Sequence, residues 1–242
     1  MLTTAGIIII GNEILSGKVT DKNSPYLCRE LRILGVEVKQ IITIPDVPEV
    51  IGKTAMDFSE RFTWVFTSGG IGPTLDDVTV ASIAREFGTA LYESPQIMEA
   101  IYKFRGKNIT DAHRRMAMIP EGSELIAYTE GRPPQLQFHN IFIFPGVPEF
   151  LKIRFSGIRE RFRTTPIVMK QIFLNADEGD IAASLDETQD AFPELQLGSY
   201  PKISGSEYNL KLTLECRDDQ YLKKACDFLC DRLSDESILR IK

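Results

Sequence analysis

The sequence predicts an α/β fold: a mostly parallel sheet with helices on both faces, followed by a small α+β lobe. Two observations carry this. Short β-branched runs alternate with amphipathic helical segments through residues 7–88, the order expected of a doubly covered parallel sheet. From Pro166 the pattern becomes strand-helix-strand-strand-helix-strand, that of a split βαβ lobe.

The elements follow in chain order. Residues 7–10 are consecutive isoleucines, a strand covered on both faces. Ser24 reads as an N-cap with Pro25 at the first helical position, and Leu27, Leu31 and Leu34 share one helix face. Gly35 stops that helix where a left-handed residue is wanted. Residues 36–44 form the second strand. Asp46, Pro48 and Glu49 read as cap, first-turn proline and capping-box partner of a helix running to Arg61. Residues 64–67 are the third strand, with Gly69, Gly70 and Gly72 directly after it and a helix from Asp77 to Gly88. Right-handed crossovers set the loops after these strands along one sheet edge, where open α/β sheets bind ligands.

Ser94 and Pro95 open a helix to Phe104, and Thr110 opens a short one through Met118. Residues 124–127, 135–139 and 141–144 read as strands. The last runs into Pro145-Gly146-Val147-Pro148-Glu149, a tight turn before a helix ending near Arg163. Arg163-Thr164-Thr165-Pro166 is the expected linker, which sets the domains at 1–165 and 166–242. In the lobe, strands are expected at 168–174, 195–200, 208–215 and 238–241, and helices at 178–189 and 218–233.

Composition narrows the function classes. The 242 residues are 43% hydrophobic and 26% charged, with a net charge of -6. That acidity argues against nucleic-acid binding through a global positive field. The apolar run from Ala5 to Ile10 is far short of the ~20 residues that span a bilayer, and no cationic segment precedes it. Cys28, Cys216, Cys226 and Cys230 form no C-x-x-C pair, and His113 and His139 stand far from them in sequence. Reduced thiols in a cytoplasmic protein are expected.

Three stretches carry chemistry. In Ser68-Gly69-Gly70-Ile71-Gly72-Pro73-Thr74, glycines between a strand and a helix let backbone N–H groups approach a phosphate. The loop lacks the Lys-Ser/Thr ending of a P-loop and does not fit G-x-G-x-x-G. Asp76 and Asp77 follow it. Asp77 at a helix start reads as a cap, and two acids beside a phosphate also read as a Mg²⁺ site, since that ion takes one or two carboxylates plus substrate phosphates. Gly11-Asn12-Glu13-Ile14-Leu15-Ser16-Gly17 stands at another strand end, with Glu13 free for a metal or a ligand hydroxyl. Asp21 and Asn23 read first as caps facing the same cleft. Glu149 either starts a helix or points into the cleft. Arg114 and Arg115 read as a solvated face, with a phosphate as their alternative partner.

Taken together, Gly11-Asn12-Glu13-Ile14-Leu15-Ser16-Gly17, the run from Ser68 through Asp76-Asp77-Val78-Thr79, and Pro145-Gly146-Val147-Pro148-Glu149 resemble the molybdopterin-binding (MoaB/Mog-like) fold family. The sequence is most like the amino-terminal domain of competence/damage-inducible protein A, and is similar to the pterin-binding-like domain of eukaryotic FAD synthase. The resemblance covers the first 165 residues strongly and the lobe more weakly. It implies a three-layer α/β/α fold whose cleft holds a phosphorylated pterin or a nucleotide. In the adenylyltransferase branch, the acids matching Asp46 and Asp77 are tied to metal and catalysis. In the competence-protein branch the fold is associated with metal-dependent hydrolysis of ADP-ribose, and in the FAD synthase domain with FAD hydrolysis. Two departures stand out. Where the competence proteins carry Gly-Thr-Ala-Pro-Gly, this chain has Gly131-Arg132-Pro133-Pro134-Gln135. No amidohydrolase or FAD-forming stretch is seen, so neither deamidation nor FAD synthesis is expected.

The expectation is a divalent-metal-dependent nucleotide pyrophosphatase acting on an ADP-ribose- or FAD-like dinucleotide. The alternatives are a non-catalytic pterin- or nucleotide-binding module, and pterin adenylyl transfer or metal insertion in molybdenum cofactor synthesis. Asp77 and Asp46 are the expected catalytic residues. Gly69, Gly70, Gly72, Thr74, Gly11, Asn12, Pro145, Gly146 and Glu149 are the expected ligand contacts. Asp77, Asp46, Asp76 and Glu13 are the expected holders of Mg²⁺ or another divalent cation. The expected partners are a small-molecule nucleotide or pterin phosphate and a second copy of the chain, with no nucleic acid and no membrane.

Overall fold

Consecutive isoleucines at the amino end decide the architecture, because alternate residues of a strand face opposite sides of its sheet. The computed structural model describes residues 3–106, 108–129, 132–202 and 207–242, the side chains of Phe104 and Asp235 apart. It divides into two compact units, Met1–Thr164 and Thr165–Lys242.

The first unit runs β1 (Thr4–Ile10), α1 (Asn12–Leu15), α2 (Asn23–Ile33), β2 (Glu37–Ile44), α3 (Pro48–Arg61), β3 (Trp64–Ser68) and α4 (Thr79–Glu86). It continues with β4 (Leu91–Glu93), α5 (Pro95–Arg105), α6 (Asp111–Arg115), β5 (Met118–Pro120), β6 (Glu124–Ile126), β7 (Gln135–Phe138), β8 (Ile141–Phe144) and α7 (Pro148–Ile158). Its main sheet has the order β2-β1-β3-β8-β7-β6. The first four of these strands are parallel, and β7 is antiparallel to both neighbours.

Two apolar layers flank the sheet. Ile7 and Ile9 pack with Leu27 and Leu31 of α2 and with Leu151 and Phe155 of α7. Ile8 and Ile10 pack with Ile51 and Phe58 of α3 and Ile83 of α4. The isoleucines are at most 3% exposed, and full burial of such a side chain is worth roughly 1.5–3 kcal/mol. The result is a three-layer α/β/α unit.

The local expectations are corrected at the caps. Helix α2 starts at Asn23 with Ser24 inside it, because the Asp21 carboxylate accepts from Asn23 N at 2.8 Å and Ser24 N at 3.1 Å. The Asp46–Glu49 capping box does not form: Val47 is the N-cap of α3, and Glu49 pairs with Arg85 at 3.2 Å. Helix α4 starts at Thr79 rather than Asp77. Met118 is not helical but opens β5, which pairs with β4 in a separate two-stranded sheet.

The second unit runs β9 (Val168–Leu174), α8 (Glu178–Ala191), β10 (Gln196–Pro201), β11 (Leu210–Cys216), α9 (Asp219–Cys230) and β12 (Ile238–Ile241). Its antiparallel sheet has the order β10-β11-β9-β12. One face of that sheet and the two helices share a core that includes Ile172, Leu212, Leu214, Leu222 and Leu229. Asp218 caps α9, accepting from Gln220 N at 2.8 Å and Tyr221 N at 3.0 Å. Among the described residues, no helix is long and apolar enough to cross a membrane.

Candidate functional site

Because β1, β2, β3 and β8 are parallel and adjacent, their carboxyl ends lie at one edge of the sheet. The loops after them are tied together. Gly11 N donates to Ile44 O at 3.1 Å, and Gly69 N to Phe144 O at 3.2 Å. Asn12 N donates to Asp46 Oδ2 at 2.8 Å. Asn23 Nδ2 donates to Ser68 Oγ at 2.9 Å and to Gly146 O at 2.7 Å, and Ser68 Oγ donates to Pro145 O at 3.2 Å. The expected ligand contacts of three separate stretches thus form one rim.

The glycine loop passes closer to its neighbours than a side chain would allow. Gly69 has φ 116°, and a Cβ there would stand 2.0 Å from Ile10 O. Gly70 has φ 64°, and a Cβ there would stand 2.3 Å from Thr79 Oγ1. Thr79 fastens the loop to the start of α4, with its N donating to Gly70 O at 3.0 Å and its hydroxyl to Gly69 O at 2.9 Å. The N–H groups of Gly70, Ile71 and Gly72 make no hydrogen bond with a described residue. Successive unpaired amides beside a helix start form an anion-binding concavity.

The acids divide over this rim. Asp77 Oδ2 accepts from Thr74 N at 2.8 Å and from Thr74 Oγ1 at 2.6 Å. Asp77 therefore closes the loop tip and does not cap α4. Asp76 is exposed beside this clamp. Glu13 folds back over Gly11, where a Cβ would stand 2.5 Å from Glu13 Oε1. Glu149 is exposed in the first turn of α7. Among the described residues, no three His, Cys, Asp or Glu groups converge to hold a metal ion by themselves. The expected set of Asp77, Asp46, Asp76 and Glu13 is therefore not a protein-only metal cage.

Beside the loop lies a cavity of about 60 Å³ whose lining includes Ile10, Glu13, Asp21, Asn23, Ser68 and Gly146. Asn23 is 6% exposed, and its Oδ1 is buried without a partner among the described residues. The Gly146 carbonyl can only accept, so it fixes Nδ2 on its side and leaves Oδ1 over. Asn23 is thus a tie between β3 and the β8 turn rather than a cap.

Residues 6–163 match a family model described as "Probable molybdopterin binding domain". The chain belongs to the molybdopterin binding domain family. Residues 166–242 match the model "FAD synthase, middle domain". A protein of Archaeoglobus fulgidus is 34% identical, over 95% of this chain and 98% of that relative. A "Probable FAD synthase" of Caenorhabditis briggsae is 30% identical over 91% of this chain, which spans only 47% of that relative's length. The crystal structure of the protein CinA, with unknown function, from Thermoplasma acidophilum superposes with a TM-score of 0.62 at 28% identity, over 67% of this chain and 100% of that one.

In this member of the molybdopterin binding domain family, the solvated face that the sequence favours for both Arg114 and Arg115 holds only in part. Arg115 Nη2 donates to Pro73 O at 3.1 Å, on the glycine loop itself. Its neighbour Arg114 turns away to pair with Glu93 at 3.3 Å. Two adjacent arginines on a short helix give no sign in the sequence of which one reaches a loop 42 residues earlier. Of the divergent Gly131–Gln135 stretch, Gly131 lies outside the described residues. Gln135 is fully buried, donating to Leu136 O and Ile143 O, both at 2.8 Å.

Proposed function

We propose that the rim binds the diphosphate of a nucleotide and that the protein is a divalent-metal-dependent pyrophosphatase for an ADP-ribose- or FAD-like dinucleotide. The observation that carries this is the run of unpaired amides at Gly70, Ile71 and Gly72 on the carboxyl edge of the sheet. The match of the lobe to an FAD synthase domain supports a dinucleotide over a bare phosphate. Leu75, Val47 and Val147 are exposed on the same loops and suit the apolar face of a ligand ring.

The acids fit a cation held by one or two carboxylates together with substrate phosphates, the way Mg²⁺ is commonly bound. Asp46 and Asp77 are the residues to hold it, with Asp76 and Glu13 as the other candidates for one of the two carboxylate places. When bound, such an ion withdraws charge from the phosphoryl oxygens and lowers the pKa of a water. The chain's own part is to orient. The amides of residues 70–72 take phosphate oxygens, and the Asp77–Thr74 clamp keeps the loop tip closed around them. Neither histidine serves as base: His139 lies in the β7–β8 turn at the opposite edge, and His113 Nδ1 is engaged by Thr110 at 2.8 Å.

Release of mononucleotide from ADP-ribose, FAD, NAD and dinucleoside polyphosphates, with and without Mg²⁺, tests the reading. Metal-dependent cleavage of at least one is expected, and no cleavage of any of them would sink it. The second reading is a non-catalytic module that binds a nucleotide or pterin phosphate, favoured by the unpaired amides at residues 70–72, which take a phosphate without a metal.

A further inference from the structure

Arg115 stands beside the glycine loop with a charge that no described acid pairs. Helix α6 is anchored around it: Thr110 N donates to His113 Nδ1 at 3.2 Å, and Ser94 N donates to Ala117 O at 2.8 Å. This frame delivers the Arg115 guanidinium to the Pro73 carbonyl, its one hydrogen bond to a described residue. Arg115 forms no ion pair with a described residue, although Asp76 and Asp77 follow Pro73 by three and four positions. A guanidinium has five N–H donors in a planar fork that matches phosphate bidentately. Here one Nη group is fixed by a main-chain carbonyl, and the rest of the fork is unspent. The unpaired amides of Gly70, Ile71 and Gly72 precede that carbonyl directly in the chain.

We infer that Arg115 is a phosphate-binding residue of this site, supplied from α6 across the mouth of the glycine loop to the anionic diphosphate of a nucleotide. The inference rests on the proposed diphosphate reading. It adds a group that the loop motif does not contain, and it gives a reason for two adjacent arginines on one short helix to differ. Arg114 spends its charge on Glu93 in an exposed pair, and Arg115 contributes charge to the ligand. The guanidinium also offsets Asp76 and Asp77, which would otherwise repel an anion.

Calorimetric titration of the full chain with ADP-ribose, inorganic pyrophosphate and adenosine tests this, comparing the parent with Arg115→Ala, Arg115→Lys and Arg114→Ala. Arg115→Ala should weaken ADP-ribose and pyrophosphate about tenfold or more, the loss expected for a charge-assisted phosphate contact, and leave adenosine unchanged. Arg115→Lys should recover part of the loss and keep the parent's salt dependence, whereas binding by Arg115→Ala should fall less steeply with salt. Arg114→Ala should bind like the parent. Binding of both phosphate ligands by Arg115→Ala within twofold of the parent would overturn the inference and leave the diphosphate reading standing. An equal loss in Arg114→Ala would also overturn it, showing a general field rather than a contact. A parent that binds ADP-ribose no better than adenosine, and does not bind pyrophosphate, would remove the diphosphate reading and Arg115's role with it. Arg115 is exposed and, among the described residues, bonded only to a surface carbonyl, so the thermal midpoints of all variants should match the parent.

Discussion

Asp77 and Asp46 each spend one carboxylate oxygen on a backbone amide, Thr74 N and Asn12 N respectively. An asparagine at either position can keep that bond through its own oxygen, so the substitution removes charge with little loss of geometry. Asp77→Asn and Asp46→Asn should therefore change stability by well under ~1 kcal/mol. If these acids serve catalysis, the same changes should lower metal-dependent hydrolysis by on the order of 10³. The measurement pairs a thermal melt with a rate at several Mg²⁺ concentrations. Full activity at low Mg²⁺ in both variants would exclude them from the reaction. Asp77 is visible in the sequence because it follows the glycine run. The Asn12–Asp46 bond is not, since it joins two loops 34 residues apart that only the parallel β1–β2 pairing makes neighbours. The supposed capping box fails for the same reason: the backbone N–H of Asn12, distant in sequence, takes the Asp46 carboxylate.

Elements with a strong apolar signature were legible, and short ones were not. The isoleucine run, the Leu27–Leu31 stripe and Ser94-Pro95 each state their element locally. Strands β4 and β5 have three residues each, too few for any period to show, and they exist only through pairing with each other. Helix α9 shows how a legible element sets chemistry. Cys226 and Cys230 stand one turn apart on its inner side. Burial, and then the neighbouring Cys226, push the Cys230 thiol from 9.0 up to about 12. Cys230 should therefore hold roughly a thousandfold less thiolate than an unfolded cysteine and label correspondingly slowly with a disulfide reagent at pH 8. Rapid labelling of the native chain would contradict this. A thiol whose folded pKa is raised contributes stability that is fully present below the unfolded value near 9 and lost as pH rises towards about 12. The chain should thus become easier to unfold in urea between pH 9 and 11, and Cys230→Ala should flatten that slope.

At the scale of the whole molecule, each compact unit has its own core: two apolar layers in Met1–Thr164, and one in Thr165–Lys242. All the rim residues belong to the first unit. A chain ending at Thr164 should fold cooperatively and keep its affinity for ADP-ribose within a few-fold, as read by circular dichroism and calorimetry. A well-folded truncation that no longer binds would show that the second unit supplies ligand contacts. The change of pattern at Pro166 was visible in the sequence because a βαβ repeat gives way to antiparallel strands. The strand order was not, because it depends on pairings between segments far apart in the chain.

One of those pairings governs when the site comes into being. Strand β3 takes β1 on one side and β8 on the other, with Ser68 opposite Phe144. During synthesis the first three parallel strands can assemble early, while the far side of β3 waits for about eighty further residues to leave the ribosome. Until then the apolar pair Val65-Phe66 lines an open strand edge, a template for mispairing with another nascent chain. The acceptor for the Gly69 amide, Phe144 O, and the acceptor for the Asn23 amide, Gly146 O, arrive only with that late segment. The glycine loop is translated well before β8, yet it gains its shape among the last events of the first unit's birth.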